Sequence, residues 1–105
     1  MTTNTQNNAP AVKGATPAQI ARKIFIGQQV AIVKASSHPQ ADRWVNAIIR
    51  AGDAFIAGKD ERKAMIQKCD DYNTTIQSCD CEAGKHGNPC KHRAFQRIIE
   101  KWATE

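Results

Sequence analysis

The chain has no long apolar run. The longest stretches, such as "VAIV" at 30–33, are far too short to span a bilayer. The first fifteen residues, "MTTNTQNNAPAVKGA", have no basic start, no apolar signal core and no aromatic side chain. Export through a signal peptide is therefore not expected. So little apolar surface cannot offset the entropy of ordering, and residues 1–15 are expected to be a disordered tail. No Ser/His/Asp set and no phosphate-cradling glycine loop stands out, so the common hydrolase and nucleotide-dependent classes lack their machinery. Outside the tail there is no low-complexity run, and no repeat beyond two similar helix starts.

What remains, roughly 90 residues, is near the size where a hydrophobic core alone gives modest stability and a bound metal helps. The 105 residues carry 15 Lys/Arg against 10 Asp/Glu, a formal charge of +5. The excess sits early: up to Gly58 there are six basic and two acidic residues, and after it nine and eight. Such a charge permits an anionic partner such as nucleic acid, and it is also an ordinary solubility charge.

"TPAQ" at 16–19 starts a helix: Thr16 caps, Pro17 suits the first position, and Gln19 completes a capping box. From Ile20 to Lys34 the apolar residues spread almost all round a helical wheel. That pattern fits a helix buried on several sides, a helix in an oligomer, or a partial strand broken near Gly27. "SHPQ" at 37–40 reads as a second capping box, Ser37 with Gln40. In the helix that follows, Trp44, Ile48, Ala51 and Phe55 form the inner face. Asp42, Arg43, Asn46, Arg50 and Asp53 form the outer one, and the helix ends between Gly52 and Gly58. Lys91–Trp102 is a third amphipathic helix, with Phe95, Ile98, Ile99 and Trp102 on one side.

Between these helices lies "CDCEAGKHGNPCKH", residues 79–92. Cys79 and Cys81 are separated by eight residues from Cys90 and His92. Three thiolates and one imidazole in two close pairs suit tetrahedral zinc and exclude hard cations. A reducing, cytoplasm-like setting favours metal over disulfides. The glycines, Asn88 and Pro89 in "EAGKHGNP" let the segment turn and join the pairs. Positions 90 and 92 lie about 200° apart on a regular helix, so Cys90 must stand at or before the helix start and His92 in its first turn. Four protein ligands would close the coordination sphere, which marks a structural site and argues against an enzyme. Zinc deaminases need a His-x-Glu upstream, and none precedes these cysteines. Cys69 reads as a core residue of a strand and His86 as a solvated loop histidine.

Cys-x-Cys followed by Cys-x-His, with a basic residue inside the second pair and an apolar helix after it, resembles the SWIM zinc-finger family. The resemblance covers about the last 45 residues. It implies a short hairpin carrying Cys79 and Cys81 near its end, then a helix carrying His92. For that reason "KAMIQKC" and "NTTIQSC" are read as two strands joined by "DDY", in preference to a helix over 60–69 that Glu61, Arg62, Lys63, Ala64 and Met65 would favour. Family members are associated with DNA binding and with protein–protein contacts.

The expectation is an α+β domain: a tail (1–15), a helical region (16–58) and a zinc-stabilised ββα unit (59–105). Lys85, Lys91, Arg93, Arg97 and Lys101 are the candidate nucleic-acid surface around one structural zinc. The alternative is a protein-interaction or self-association module using the apolar N-terminal helices. Neither a membrane nor a small-molecule substrate is expected. The short chain suits an accessory protein of a phage or mobile element.

Overall fold

Thr16 opens the first helix with the predicted capping box: its side chain accepts from Gln19 N, and Gln19 reaches back to the Thr16 backbone. The computed structural model describes residues 16–104, so the tail at 1–15 lies outside the described residues. Five helices follow in order: α1 (Pro17–Ala35), α2 (Ala41–Ala57), α3 (Lys59–Asp71), α4 (Glu82–Lys85) and α5 (Lys91–Ala103). There is no strand among the described residues. The fold class is therefore all-α, and the expected α+β architecture with a ββα unit is wrong.

The error lies in one segment. "KAMIQKC" belongs to α3, where the helix-forming Glu61–Met65 stretch prevails over the resemblance. "NTTIQSC" is a closed loop: Thr74 N bonds to Cys69 O, Thr75 N to Ser78 O, and Asp80 N to Tyr72 O. Thr75 Oγ1 also accepts from Gln77 N and Ser78 N, a local turn that competes with a strand ladder. Asp70 and Asp71 end α3 and are not a hairpin turn. Cys69 is a core residue as expected, 1% exposed, but on a helix.

The second capping box also fails. Pro39 sits in a turn closed by Ala41 N to His38 O, and the helix begins only at Ala41. Gln40 is thus the cap residue itself, and its N–H bonds to His38 Nδ1 at 3.0 Å. For residues 20–34, where a helix and a partial strand were both open, the structure has one helix, and the other two amphipathic helices lie where expected. α1 is continuous through Gly27, and α2 ends at Ala57.

α2 is the hub, packing on α1, α3 and α5, with α3 also touching α5. Its buried face of Trp44, Ala47, Ile48, Ala51 and Phe55 meets Phe25 and Ile26 of α1 and Ala94, Phe95 and Ile98 of α5. Gly52 lets α1 approach closely: an added Cβ would stand 3.0 Å from Ile26 Cγ2. Phe25, Phe55 and Trp102 tie three helices together. Trp102 meets Phe25 and Phe55 edge-on at centroid distances of 5.1 and 5.3 Å. Such edge-to-face pairs add about 0.5–1.5 kcal/mol beyond their buried area. Side chains cap the C-terminal end of α2: Gln19 donates to Ile56 O and Ala57 O, while Arg22 and Arg62 both donate to Phe55 O. No helix among the described residues is long and apolar enough to cross a membrane.

Candidate metal centre

The loop after α3, the short α4 and the start of α5 converge on one point. Cys79 comes from the loop, Cys81 is the residue before α4, and Cys90 and His92 open α5. Their ligand atoms all lie within 4.8 Å of one another, and all four residues are buried. Cys79 Sγ is 3.7 Å from His92 Nδ1. That is the edge expected of a tetrahedron whose ligands sit about 2.1–2.3 Å from a central ion. It also identifies Nδ1 as the nitrogen facing the thiols. The backbone gives the predicted phasing: Cys90 is extended (φ −130°, ψ 161°) and His92 lies in the first turn.

Each thiol has one partner suited to a thiolate. Thr74 Oγ1 lies 3.0 Å from Cys79 Sγ. Gly84 N donates to Cys81 Sγ and Arg93 N to Cys90 Sγ, both at 3.4 Å. These contacts orient the ligands, as outer partners of metal sites do. The Tyr72 ring packs on His92 at a centroid distance of 5.0 Å and fixes its plane. Gly84 is required by space: an added Cβ would fall 2.0 Å from the Cys79 carbonyl oxygen.

The electrostatics favour a cation. Burial works against ionisation of Cys79, but hydrogen bonds from Thr74 and from the neighbouring Cys81 and Cys90 hold it below the usual thiol value. Burial pushes Cys90 up to about 12, with the Arg93 N–H acting against it and the Cys81 and Cys79 thiols adding to it. Cys79 is thus easier to ionise than a free thiol, while Cys90 resists. Three buried thiolates together need a positive ion at their centre. Burial, then Lys91 and Lys68, lower the His92 value, which keeps the imidazole neutral and able to donate its lone pair.

The other sequence candidates divide. Cys69 is outside the donor set; its thiol points to His92 O at 3.6 Å. Burial raises its value, so it stays a neutral thiol. His86 is exposed and pairs with Glu82 at 2.9 Å. Among the five basic residues, Arg93, Arg97 and Lys101 line one groove of about 550 Å³ with Trp44 and Ile76. Arg93 and Arg97 stack over Trp44 at 5.0 and 5.6 Å, and Arg93 also donates to Ile76 O. Lys91 lines a different groove, about 520 Å³, with Arg43, Asn46 and Arg50. Lys85 is exposed on α4 and lines neither. The five do not form one face.

Arg43 and Arg50 were read only as the polar side of a well-patterned helix; they lie seven residues apart with no motif around them, and nothing in the sequence joined them to Lys91. Thr74 and Gly84 were invisible for another reason, since their roles depend on non-local contacts. No family model, curated protein or solved structure matches the chain. The described residues thus contain a buried Cys₃His set able to hold one metal ion.

Proposed function

We propose that the chain is a small, non-enzymatic zinc-binding protein that binds nucleic acid beside a structural zinc. Zinc is the reading that three thiolates, one imidazole and a tetrahedral edge support best. Four protein donors leave no open position for water or substrate, which supports a structural ion. The Cys-x-Cys and Cys-x-His ligand pattern still resembles the SWIM finger, here on a helical scaffold.

The observation that carries the nucleic-acid reading is the state of the cations. Among the described residues no Lys or Arg has a carboxylate within 4.0 Å; the single salt bridge is His86–Glu82. Arg97 and Lys101 are exposed along the groove beside Trp44, where phosphate oxygens would find free donors. Zinc-loaded protein is titrated onto labelled single- and double-stranded DNA across a salt series. Binding is expected to weaken steeply with salt. R97E/K101E should bind more weakly and lower the salt slope by about 1 per lost phosphate contact. Absence of binding at low salt, or an unchanged R97E/K101E variant, refutes this reading.

A second reading is favoured by α1. Ile20 and Ile24 are 51% and 59% exposed, an apolar surface suited to a protein partner or a second copy, while Ile32, 62% exposed, lines the Trp44 groove. It predicts a defined oligomer that survives high salt and is lost in Ile24→Glu, as read by light scattering.

A further inference from the structure

A second site lies away from both the metal and the Trp44 groove. The C-terminal end of α2, α3 and α5 enclose a cleft of about 320 Å³, closed on one side by Arg22 of α1. Its floor is Phe55, Phe95, Ile99 and Trp102, with Ile66 on the wall. Its rim is Arg22, Lys59, Arg62 and Lys63, and no carboxylate lines it. We propose that this cleft docks an acidic protein segment that inserts one bulky apolar side chain.

The charge argument comes first. Arg22 and Arg62 converge on the same carbonyl, Phe55 O, at 3.3 and 3.2 Å, so two guanidiniums share one acceptor. The end of α2 offers them only about half a negative charge. Burial, and then the nearby Arg62 charge, pull Arg22 below the ordinary guanidinium value. Lys59 stands at the first position of α3, where the helix dipole disfavours a cation. Four cations line this cleft with no carboxylate within 4.0 Å of any of them among the described residues, and they call for an anionic partner.

The floor decides the kind of anion. The Phe55 and Trp102 rings pack edge-on against each other, and Arg22 lies over both, at 4.5 and 5.2 Å. Arg22 thus occupies the place over these rings where a nucleobase would otherwise stack. What the cleft presents is an apolar hollow at the small end of ligand-pocket sizes, suited to a single large side chain, under a cationic rim. That is the complement of an acidic segment with one apolar anchor.

The test uses the full zinc-loaded chain and fluorescence anisotropy. The probe is a short labelled peptide with a Trp-Leu pair between two Glu-rich arms. A companion peptide carries Ser-Ser in place of the pair, and an oligothymidylate is the competitor. Lys59 and Lys63 are exposed, and Ile66 is 44% exposed, so their variants should retain the fold, as checked by circular dichroism. The expected result is binding of the Trp-Leu peptide that falls at least tenfold in K59E/K63E and at least tenfold in Ile66→Asp. R97E/K101E should leave it unchanged, which separates this site from the nucleic-acid reading. No binding at about 1 mM peptide overturns the proposal. So does equal affinity for the Ser-Ser peptide, an unaffected K59E/K63E variant, or displacement of the peptide by oligothymidylate.

Discussion

Replacing Gly84 by alanine adds one methyl group at the tightest point of the metal loop. The new Cβ would lie 2.0 Å from the Cys79 carbonyl oxygen, 2.7 Å from its carbon and 2.9 Å from Cys79 Cβ. None of these is the end of a flexible side chain, so relief requires backbone movement of more than about 1 Å, since non-bonded heavy atoms rest near 3.5 Å. The movement would displace Cys79, one of the four candidate ligands, and break the Gly84 N–H bond to Cys81 Sγ. Metal geometry tolerates only about 0.2 Å per ligand. The upper end of overpacking costs, about 3 kcal/mol, sets the scale. If it falls on the metal-bound state, zinc affinity drops by about a hundredfold. The control is the same substitution at Gly27, where an added Cβ meets nothing within 4 Å in the middle of α1. There, helix propensity predicts a gain of about 0.5–1 kcal/mol. Zinc affinity is read by competition with a chromophoric chelator, and stability by thermal melting followed by circular dichroism. Wild-type zinc affinity and melting in Gly84→Ala would refute the placement of the loop and with it the proposed centre.

Chelating zinc, or Cys81→Ala, should loosen the segment from Tyr72 to the start of α5 and lower the melting temperature; unchanged melting would remove the structural role of the ion. In metal-free protein, His92 has a folded value below its unfolded one near 6.5, so its contribution to stability is complete above about pH 6.5. That contribution is lost as pH falls through the lower folded value, and an asparagine at 92 should flatten this limb in denaturant titrations. Cys90, pushed up to about 12, acts in the opposite direction: its contribution is complete below about pH 8.5 and is lost as pH rises toward 12. Phe55→Ala, at a residue 2% exposed and in contact with both Phe25 and Trp102, should cost about 3–5 kcal/mol in chemical denaturation.

Local signals settled much of this molecule. Thr16 and Gln19 set the start of α1 because a capping box is complete within four residues. The Trp44-to-Phe55 and Phe95-to-Trp102 patterns identified α2 and α5 because each apolar face has a helical period. The Cys79, Cys81, Cys90 and His92 cluster was legible because Cys-x-Cys and Cys-x-His need only a turn between them. The segment 59–80 failed for a physical reason: Ile66, Thr74 and Thr75 gave a strand pattern too short to outweigh the helix-forming run before it. The resemblance to a zinc-finger family tipped the choice the wrong way. Ser37 failed as a cap because Pro39 delayed the helix to Ala41.

The sequence by itself determined where most helices lie and which four side chains can gather around an ion, since both follow from spacing along the chain. Only the tertiary structure decided that Gly84 has no room for a side chain, that Thr74 faces Cys79, and that the basic residues divide between grooves. It alone placed four cations over an apolar cleft at the end of α2. Those facts are distances between residues on different elements, and no periodicity along one segment encodes them.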